Sequence, residues 1–332
     1  MEISAEVVSR GVALFGLSPA ALQCLGGTDG VVYAGRRAGQ DYVIKFVPVD
    51  AEGFPSVRER WSFSHYLAQN GVPVARPVLS ERGNLIELVQ DESRDGPLQW
   101  ATTLSERAPG GHYDWRGDPE RNDAFTEAWG EVMGTMHALS RRYTGGAELP
   151  DALDECDSFV RWCHDAFHDP QLDTRWTELR RWMETVPRDT ATFGVVHNDL
   201  HPENMLVADQ CGALRITVID FDCCVWHWYA ADLAVALSTV CWDWVPTPPG
   251  MTRQQFVQQF WGHFTTGYRR ACPLDAETVA LVPAFLDAHR MLLHVVLSQE
   301  WGPANSWQRG LLDGWRRGII AGVPVLARPL TL

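Results

Sequence analysis

The sequence predicts an α+β protein in two parts: a small β-rich N-terminal lobe at residues 1–90 and a larger, mainly helical C-terminal lobe at residues 91–332. Three observations support this division. Strand-like segments are concentrated in the first ninety residues, and apolar residues at helical spacing dominate the chain after Asn122. Between them, residues 90–121 are polar and rich in glycine, proline and charge, which is typical of a connector or an insertion. A chain of 332 residues is long enough to bury two such cores.

The N-terminal lobe begins with a short amphipathic helix and continues as strands around one long helix. Residues Val57–Gln69 have helical apolar spacing and end at Asn70–Gly71, which is a helix stop signal. The strand-like segments are Val31–Gly35, Asp41–Val47, Pro77–Leu79 and Leu85–Val89. With the turns between them, they predict a sheet of about five strands.

The C-terminal lobe has the period of helices. Within Phe125–Tyr143, apolar residues recur at steps of three and four. The further predicted helices are Ser158–Phe167, Arg175–Val186, Ala230–Trp242, Arg253–Arg270, Ala276–Gln299 and Ser306–Ile320. A sheet followed by a long run of helices is the pattern of the α+β class.

Composition and charge argue against several classes of partner. The net charge is −14 and the longest basic runs are pairs such as Arg36–Arg37, so nucleic acid is not an expected partner. No apolar run approaches the roughly 20 residues of a membrane helix, and no basic patch precedes the apolar residues of the N-terminus. The eight cysteines form no C-x-x-C pair, which indicates reduced cysteines in a cytoplasmic protein. The oligomeric state cannot be read from these features.

One polar segment interrupts the apolar pattern of the chain at "VVHNDLHPENMLV", residues 195–207. It begins at His197 and ends before Met205, where the chain becomes apolar again. A second strand-like run, Leu214–Ile219, is followed by Asp220-Phe221-Asp222. Two short strands in succession predict a hairpin-like element, which would bring the loop 197–204 close to Asp220.

The residue types in this segment suit phosphoryl transfer. Asp199, Asn204 and Asp220 offer oxygen ligands with an open coordination sphere, which Mg²⁺ prefers together with phosphates and water. A carboxylate near the metal can also orient a hydroxyl and accept its proton, and positioning is most of the catalysis in such reactions. The alternative is a solvated polar turn without chemistry.

The motifs "HNDLHPENML" and "VIDFDCC" resemble those of the aminoglycoside phosphotransferase and choline kinase superfamily, whose members share the protein-kinase fold. The resemblance implies a bilobal kinase-like fold that uses ATP and Mg²⁺. It also implies that Asp199 is the catalytic base, that Asn204 and Asp220 hold the metal, and that His197 supports the loop. Asn198 stands where the family commonly has glycine.

The N-terminal lobe carries weaker features of the same resemblance. "LGGTDGVVYAG" resembles the family's nucleotide loop, so Gly27, Thr28, Asp29 and Gly30 are expected to approach the phosphates, although such a turn is also typical of a plain hairpin. Lys45 in "YVIKF" corresponds to the strand lysine that holds the α- and β-phosphates. Its expected partner on the following helix is Glu59, for which an exposed helix charge is the alternative.

Three further residues are left with two interpretations each. Asp222 is either an additional metal ligand or a cap of the next element. Asp232 in "YAADLAVAL" either supports the catalytic loop, as the family's Asp-Leu-Ala does, or is a first-turn aspartate favoured by the helix dipole. His201 is either a satisfied loop residue or a residue that faces the substrate.

The segment after Asp220 indicates a small-molecule acceptor. A helix is predicted to start by about Ala230, which leaves no room for a long activation loop, and no Ala-Pro-Glu anchor follows. The expected acceptor is a hydroxylated amine, resembling an aminoglycoside, choline or homoserine. Possible lining residues of its pocket are Trp226, Trp228, Trp242, Asp243, Trp244, His289, His294 and Glu300.

Two other functions stay open on the sequence alone. Some compact bacterial Ser/Thr protein kinases share this fold and resemble "GVPVARPV" and "GTMHALS", so a protein acceptor is the first alternative. A catalytically silent nucleotide-binding protein is the second, although the intact Asp199, Asn204 and Asp220 argue against it.

Overall fold

The computed structural model describes residues 3–27, 30–92, 99–114, 122–167, 169–210, 212–242, 244–301 and 305–331. The chain forms two compact units. The sheet unit contains Met1–Tyr113, Tyr143–Leu149 and Pro202–Cys223. The helical unit contains Asp114–Arg142, Pro150–His201 and Cys224–Leu332. A mixed unit and a helical unit confirm the predicted α+β class.

The sheet unit is built on a six-stranded antiparallel sheet. Its strands are β1 (Gln23–Gly26), β2 (Val31–Arg37), β3 (Gln40–Val49), β4 (Pro77–Val78), β5 (Ile86–Gln90) and β6 (Gln99–Glu106). The order is β1-β2-β3-β6-β4, with β5 also paired to β6. The turn between β2 and β3 has positive φ at both Ala38 and Gly39, which matches the right-handed twist of the strands it joins.

Strand β6 corrects the prediction for the connector. Residues 99–106 lie within the segment 90–121 that the sequence assigned to a connector or an insertion, yet this strand pairs with β3, β4 and β5. The sheet therefore has six strands where about five were predicted, and the predicted lobe boundary at residue 90 falls inside the sheet.

Among the described residues, two α-helices accompany this sheet. Helix α1 (Ala5–Leu14) is capped by the Ser4 side chain, which accepts from Val7 N. Its buried Val7 and Val12 join a core cluster with Ile44, Phe46 and Trp100. Helix α2 (Phe54–Gln69) is the long helix that carries Glu59, and it ends at Asn70 before Gly71 with positive φ, as predicted.

A second, three-stranded sheet completes the sheet unit. It contains β7 (Gly111–His112), β9 (Met205–Gln210) and β10 (Ala213–Val218) in the order β10-β9-β7. Strands β9 and β10 form the predicted hairpin, in which Met205 is paired with Val218. Val218 also bonds to the segment before β4, because its N–H donates to Pro73 O at 2.8 Å and its carbonyl accepts from Ala75 N at 2.9 Å.

The helical unit contains a short antiparallel strand pair and seven helices among its described residues. The strands are β8 (Phe193–Val196) and β11 (Val225–Trp228). The helices are α3 (Asn122–Ser140), α4 (Ala152–Phe167), α5 (Pro170–Met183), α6 (Tyr229–Cys241), α7 (Arg253–Ala271), α8 (Ala276–Glu300) and α9 (Ser306–Ile320). Helix α6 starts within one residue of the predicted Ala230.

Glycines set the close packing of α3 against α7. A Cβ on Gly130 would lie 2.0 Å from Phe264 O, and a Cβ on Gly267 would lie 1.8 Å from Glu127 O. Both contacts are shorter than any side chain tolerates, so these two positions need glycine for the helices to approach.

Helix α8 is relevant to the expectation that no segment of the chain is long and apolar enough to span a membrane. By length and composition alone it is able to cross a membrane, although half of its most apolar window is buried inside the protein. A buried core helix passes the same test, so this is weak evidence for a span. Helix α8 contacts α4, α5, α6 and α9 within the helical unit, which is the packing of a core helix.

Candidate active site

A cavity of about 500 Å³ lies within the sheet unit. Its size falls in the usual range for small-molecule and cofactor sites. The apolar part of the wall is formed by side chains from both sheets and the segment before β4: Leu25, Val32, Val43, Ala75, Leu206 and Ile219. The charged part contains Lys45, Asp220 and Asp222. Such a cavity can hold a flat apolar group beside a phosphorylated one.

The hairpin end brings two of the predicted metal ligands together. Beyond the paired Met205 and Val218, the N–H of Ile219 donates to Asn204 O at 3.0 Å. Asn204 and Asp220 therefore lie at the same open end of the hairpin. Asp220 has a φ of 61°, a left-handed conformation that is uncommon outside glycine, asparagine and aspartate. Asp220 lies two residues after the end of β10 at Val218.

Lys45 lies against this end of the hairpin. Its ammonium is 3.1 Å from Asp220 Oδ1 and 2.5 Å from Asp222 Oδ2. Burial disfavours the charged ammonium, but the charges of Asp222 and Asp220 outweigh it and raise the pKa of Lys45 above its usual value. Burial raises the pKa of Asp222, while Lys45 opposes that shift. The arrangement is a cation held between two carboxylates.

The donors at this site fit a divalent metal ion that also binds phosphate. The carboxylates of Asp220 and Asp222 and the amide of Asn204 are hard oxygen ligands of the kind that Mg²⁺ and Ca²⁺ take. Within the described ranges, no group of three or more His, Cys, Asp or Glu side chains forms a metal cluster. A site with few protein ligands is what Mg²⁺ uses when phosphates and water complete its coordination.

Glu59 binds the backbone of a distant segment of the chain. A carboxylate oxygen of Glu59 accepts the backbone N–H of Gly146 at 2.5 Å. On the same helix, Phe63 and Tyr66 contact the ring of Tyr143, with centroids 5.1 and 4.9 Å apart. Glu59 thus anchors the segment 143–149 to α2, and the described partners of Lys45 are Asp220 and Asp222. A Lys45–Glu59 ion pair in the nucleotide-bound state stays a prediction.

The glycine turn is described at its two ends. Gly27 has a φ of 134°, and a Cβ there would lie 2.4 Å from Gly30 O. A Cβ on Gly30 would lie 2.3 Å from Phe46 O. Both positions therefore need glycine. Thr28 and Asp29 lie outside the described residues, and contact of this turn with phosphates stays a prediction.

The loop that carries Asp199 belongs to the helical unit, and the carboxylate of Asp232 supports it. Asn198 has a φ of 65°, and its N–H donates to Asp232 Oδ1 at 2.9 Å. His137 Nε2 lies 3.0 Å from the other oxygen of Asp232, and Tyr268 in turn contacts His137 Nδ1 at 2.9 Å. Positive φ at Asn198 explains why glycine is common at this position in the family that the motif resembles.

These supporting groups are buried. Asp232, His137 and His197 are fully buried. Burial opposes ionisation of Asp232, but the hydrogen bond and charge of His137, the charge of His197 and the Asn198 N–H together lower its pKa. Asp232 therefore supports the loop, which is the first of its two interpretations.

Asp199 and His201 form the exposed part of the loop. Asp199 is 41% exposed, and its Oδ2 lies 3.5 Å from His201 Nε2. His289, on α8, is partly buried; burial lowers its pKa to about 4, and Asp199 and His201 are the charges that act on it. The imidazole of His289 is therefore neutral at pH 7.

The predicted acceptor residues do not all line an accessible surface. Trp228 is fully buried, and its indole N–H donates to Pro187 O at 2.9 Å, so this residue belongs to the core. Trp242 and Trp244 form a cluster with Trp315, with ring centroids 4.6 to 6.0 Å apart. Trp226 stacks on Phe193. Asp243 lies outside the described residues.

Sequence reasoning missed part of the cavity wall. Ser105, Glu106, Arg107 and Ala108 line it at the end of β6, and Trp61 and Ser64 line it from α2. The signal for the first group was the run QWATTLSE at 99–106, which contains the strand-forming Trp100, Thr102 and Thr103 but lies beside polar segments.

A sheet unit with a charged cavity and a helical unit with an Asp199 loop define a kinase-like phosphotransferase. The chain belongs to the phosphotransferase enzyme family known as APH, whose model matches residues 21–274. Its fold is the kinase-like fold of that family, and it is a small-molecule kinase of this family.

Three relatives support this assignment. The chain is 26% identical to amicoumacin kinase of Bacillus subtilis (strain 168) over 97% of this chain and 94% of the relative. A solved amicoumacin kinase, hAmiN in complex with AMP-PNP, Ca²⁺ and Ami, has a TM-score of 0.84 at 23% identity and covers 98% of this chain and 96% of its own. A microcompartment-associated aminopropanol kinase has a TM-score of 0.74 at 19% identity, with 96% of each chain covered. These two structural likenesses concern the fold.

Proposed function

We propose that this protein transfers the γ-phosphate of ATP to a hydroxyl of a small, amine-bearing molecule, with Mg²⁺ as the metal. The observation that carries the proposal is the contact between Lys45 and Asp220 in the wall of the sheet unit's cavity, at the end of the hairpin where the backbone of Asn204 also lies. The phosphates would lie at this charged end, and the apolar walls would hold the base.

Each charged group has a role in that reaction. Mg²⁺, held by Asn204 and Asp220 with Asp222 as a further candidate, would neutralise charge on the phosphates. The ammonium of Lys45 would bind phosphate oxygens in place of the carboxylates that it contacts in this structure. The acceptor oxygen forms its bond to the γ-phosphorus as the bond from that phosphorus to the bridging oxygen breaks, and ADP leaves.

Asp199 would orient the acceptor and take its proton. In a loose transition state the hydroxyl proton leaves late, so a carboxylate of ordinary basicity suffices. Asp199 is exposed enough to meet a substrate, and its loop is fixed by the Asn198 and Asp232 hydrogen bond. His201, 3.5 Å from Asp199, would be the residue beside the acceptor.

The chemistry of the relatives and of the helical unit favours an amine-bearing acceptor. The name of one similar structure, an aminopropanol kinase, denotes a molecule with both an amine and a hydroxyl. The net charge of −14 would favour encounter with a cation. Trp244 and Trp315, which are half-buried, would offer ring faces to an ammonium group.

We also propose that the protein acts in the cytoplasm. The described cysteines at 24, 156, 223, 224, 241 and 272 are free thiols, as expected in a reducing compartment.

The test is a comparison of acceptors with γ-labelled ATP and Mg²⁺. A panel of aminopropanol, ethanolamine, choline, homoserine and aminoglycosides is set against a protein substrate such as casein. Each active acceptor is paired with its deoxy analogue, for example propylamine for aminopropanol. We expect label on a hydroxylated amine and none on its deoxy analogue. Label on casein alone would overturn the proposal in favour of a protein kinase, and binding of Mg-ATP without any turnover would indicate a silent protein.

A further inference from the structure

Asp222 and Lys45 form an ion pair that is largely removed from water. The Asp222 side chain is 23% exposed and the Lys45 side chain 17%, and Asp222 Oδ2 lies 2.5 Å from the Lys45 ammonium. Asp220, the other partner of Lys45, is 46% exposed, and its Oδ1 is 3.1 Å from the ammonium. Of the two carboxylates beside Lys45, Asp222 is therefore the more buried and the closer one.

Helix α2 contributes a positive charge to the surroundings of Asp222. Burial raises the pKa of the Asp222 carboxyl and Lys45 opposes that shift; the charge of Arg60, on α2, also acts to lower this pKa. Arg60 follows Glu59 in the helix, and successive helical residues point about 100° apart. Glu59 accepts the backbone N–H of Gly146. The carboxylates described beside Lys45 thus both come from the segment after the hairpin, and α2 places a cation near one of them.

The ammonium of Lys45 can keep Asp222 and still bind phosphate. It has three N–H donors, and in this structure it contacts two carboxylates. If Asp220 turns to the metal, one donor stays on Asp222 and two are available for phosphate oxygens. Taking the cation away from Asp222 would leave a largely buried carboxylate uncompensated, whereas the exposed Asp220 can exchange its partner with little loss of free energy.

In the proposed function, Lys45 exchanges carboxylates for phosphate oxygens, and Asp222 is a further candidate ligand of the metal. We propose that only Asp220 is exchanged when Mg-ATP binds, and that Asp222 stays on Lys45 as a positioning residue, which holds the ammonium against the phosphates. Asp222 then has the role that the sequence predicted for Glu59. This inference rests on the proposed function, because it concerns the lysine that would bind the phosphates of ATP.

The first measurement determines whether Asp222 binds the metal. Mn²⁺ replaces Mg²⁺, AMP-PNP replaces ATP so that no turnover occurs, and electron paramagnetic resonance counts the free Mn²⁺. Asp222→Asn should change the affinity for Mn²⁺ by less than about five-fold, whereas the matched Asp220→Asn should lower it by about thirty-fold or more. Equal losses in the two variants would make Asp222 a metal ligand and overturn the inference. If Asp220→Asn keeps its affinity for Mn²⁺, the metal site of the proposed function is wrong instead.

The second measurement determines whether Asp222 acts through Lys45. It compares kcat, with the best acceptor of the panel, among the parent protein, Asp222→Asn, Lys45→Met and the double variant. Asp222→Asn should lower kcat by about ten-fold or more in the parent, because the ammonium is misplaced, and by less than about two-fold in the Lys45→Met background. A loss of the same size in both backgrounds, or no loss in the parent, would overturn the inference, since Asp222 would then act without Lys45.

The third measurement determines whether the ion pair survives nucleotide binding, by calorimetric titration of the same four proteins with AMP-PNP and Mg²⁺. A pair that is equally present before and after binding adds no coupling to the affinity, so Asp222→Asn should change it by the same factor, within about three-fold, with and without Lys45→Met. If Lys45 leaves Asp222 on binding, Asp222→Asn removes a competitor of the phosphates and should tighten binding by about ten-fold in the parent alone, which would overturn the inference. Asp222→Ser replaces Asp222→Asn throughout if thermal unfolding shows that the latter does not fold.

Discussion

The end of the β9–β10 hairpin and the loop after β8 both depend on an aspartate. The two aspartates differ in their exposure and in the partners of their carboxylates. At the hairpin end, Asp220 is 46% exposed, and its partner is the ammonium of Lys45, which also contacts Asp222. Below the loop, Asp232 is fully buried and accepts hydrogen bonds from the backbone of Asn198 and from His137. The first carboxylate can exchange its partner, whereas the second cannot.

This difference distinguishes a carboxylate that can bind a ligand from a carboxylate that supports the fold. Asp220 is an exposed carboxylate, and Lys45 keeps Asp222 as a second partner, so Asp220 is free to bind a metal ion or release it. A buried carboxylate must keep its donors, because losing one leaves an uncompensated charge in the interior. We therefore expect substitutions at the hairpin end to change turnover, and substitutions below the loop to change folding.

The largest effect on folding is expected at Asp232. Asp232→Ala removes the partner of both His137 and the Asn198 N–H, and it should lower the free energy of unfolding by about 3–5 kcal/mol. Urea denaturation measures this, with Asp220→Ala as the matched control, which should change stability by no more than about 1 kcal/mol. Equal losses in the two variants would remove the distinction between the regions.

The next effect concerns the exposed part of the loop. Asp199→Asn keeps the shape and removes the charge, so transfer to the best acceptor should fall by roughly 10²-fold or more, the scale for losing a positioned general base. Nucleotide affinity, measured by calorimetry, should stay within a few-fold. If binding is lost together with turnover, Asp199 has a structural role; if turnover is unchanged, His201 is the next residue to test.

A smaller effect is expected from pH, through the buried histidines of the helical unit. Burial lowers the pKa of His227 to about 4, and its Nδ1 accepts the N–H of Trp228 at 2.8 Å, so the folded state keeps the ring neutral. The unfolded chain takes up the proton near pH 6.5, so stability falls as pH drops from about 6.5 towards 4, by at most about 1.4 kcal/mol per pH unit for this group. Urea denaturation of His227→Phe at pH 7 and pH 5 should show a shallower decline than the parent protein. An identical slope would mean that His227 is protonated in the folded state.

The smallest effect distinguishes Glu59 from Lys45. Glu59→Gln weakens the hydrogen bond to Gly146 N and should cost about 1 kcal/mol of stability. Lys45→Met should raise the KM for ATP, and it should also lower stability, because the largely buried carboxylate of Asp222 loses its cation. If Glu59→Gln instead raises the KM for ATP as much as Lys45→Met does, then the two residues pair in the nucleotide-bound state, as the sequence predicts.

Much of the fold could be predicted from the sequence, because the helices and strands have strong periodicity and the hairpin is marked by local motifs. The hairpin that joins Asn204 to Asp220 follows from two short apolar runs, and the start of α6 follows from its apolar helix pattern. Strand β6 was missed because it buries Thr102, Thr103 and Ser105 where apolar residues would have shown the pattern. A central strand can bury such residues, but their polarity resembles that of a loop.

The partners of charged side chains were harder to predict. Spacing along the chain placed Glu59 on the helix after Lys45, but it could not show that Lys45 contacts Asp222 or that Glu59 binds a segment more than eighty residues away. Tertiary contacts decide such choices, and no local signal records them. For the same reason the sequence could not show which tryptophans are core residues, as Trp228 is.

The most direct test of the account is Asp220→Ala, assayed for Mg²⁺-dependent transfer from ATP to the best acceptor and for stability in urea. Because Asp220 is an exposed carboxylate at the open end of the hairpin, we predict that transfer is abolished while the free energy of unfolding changes by no more than about 1 kcal/mol. Normal transfer by the folded variant would contradict the account, since the metal and the phosphates would then be held elsewhere.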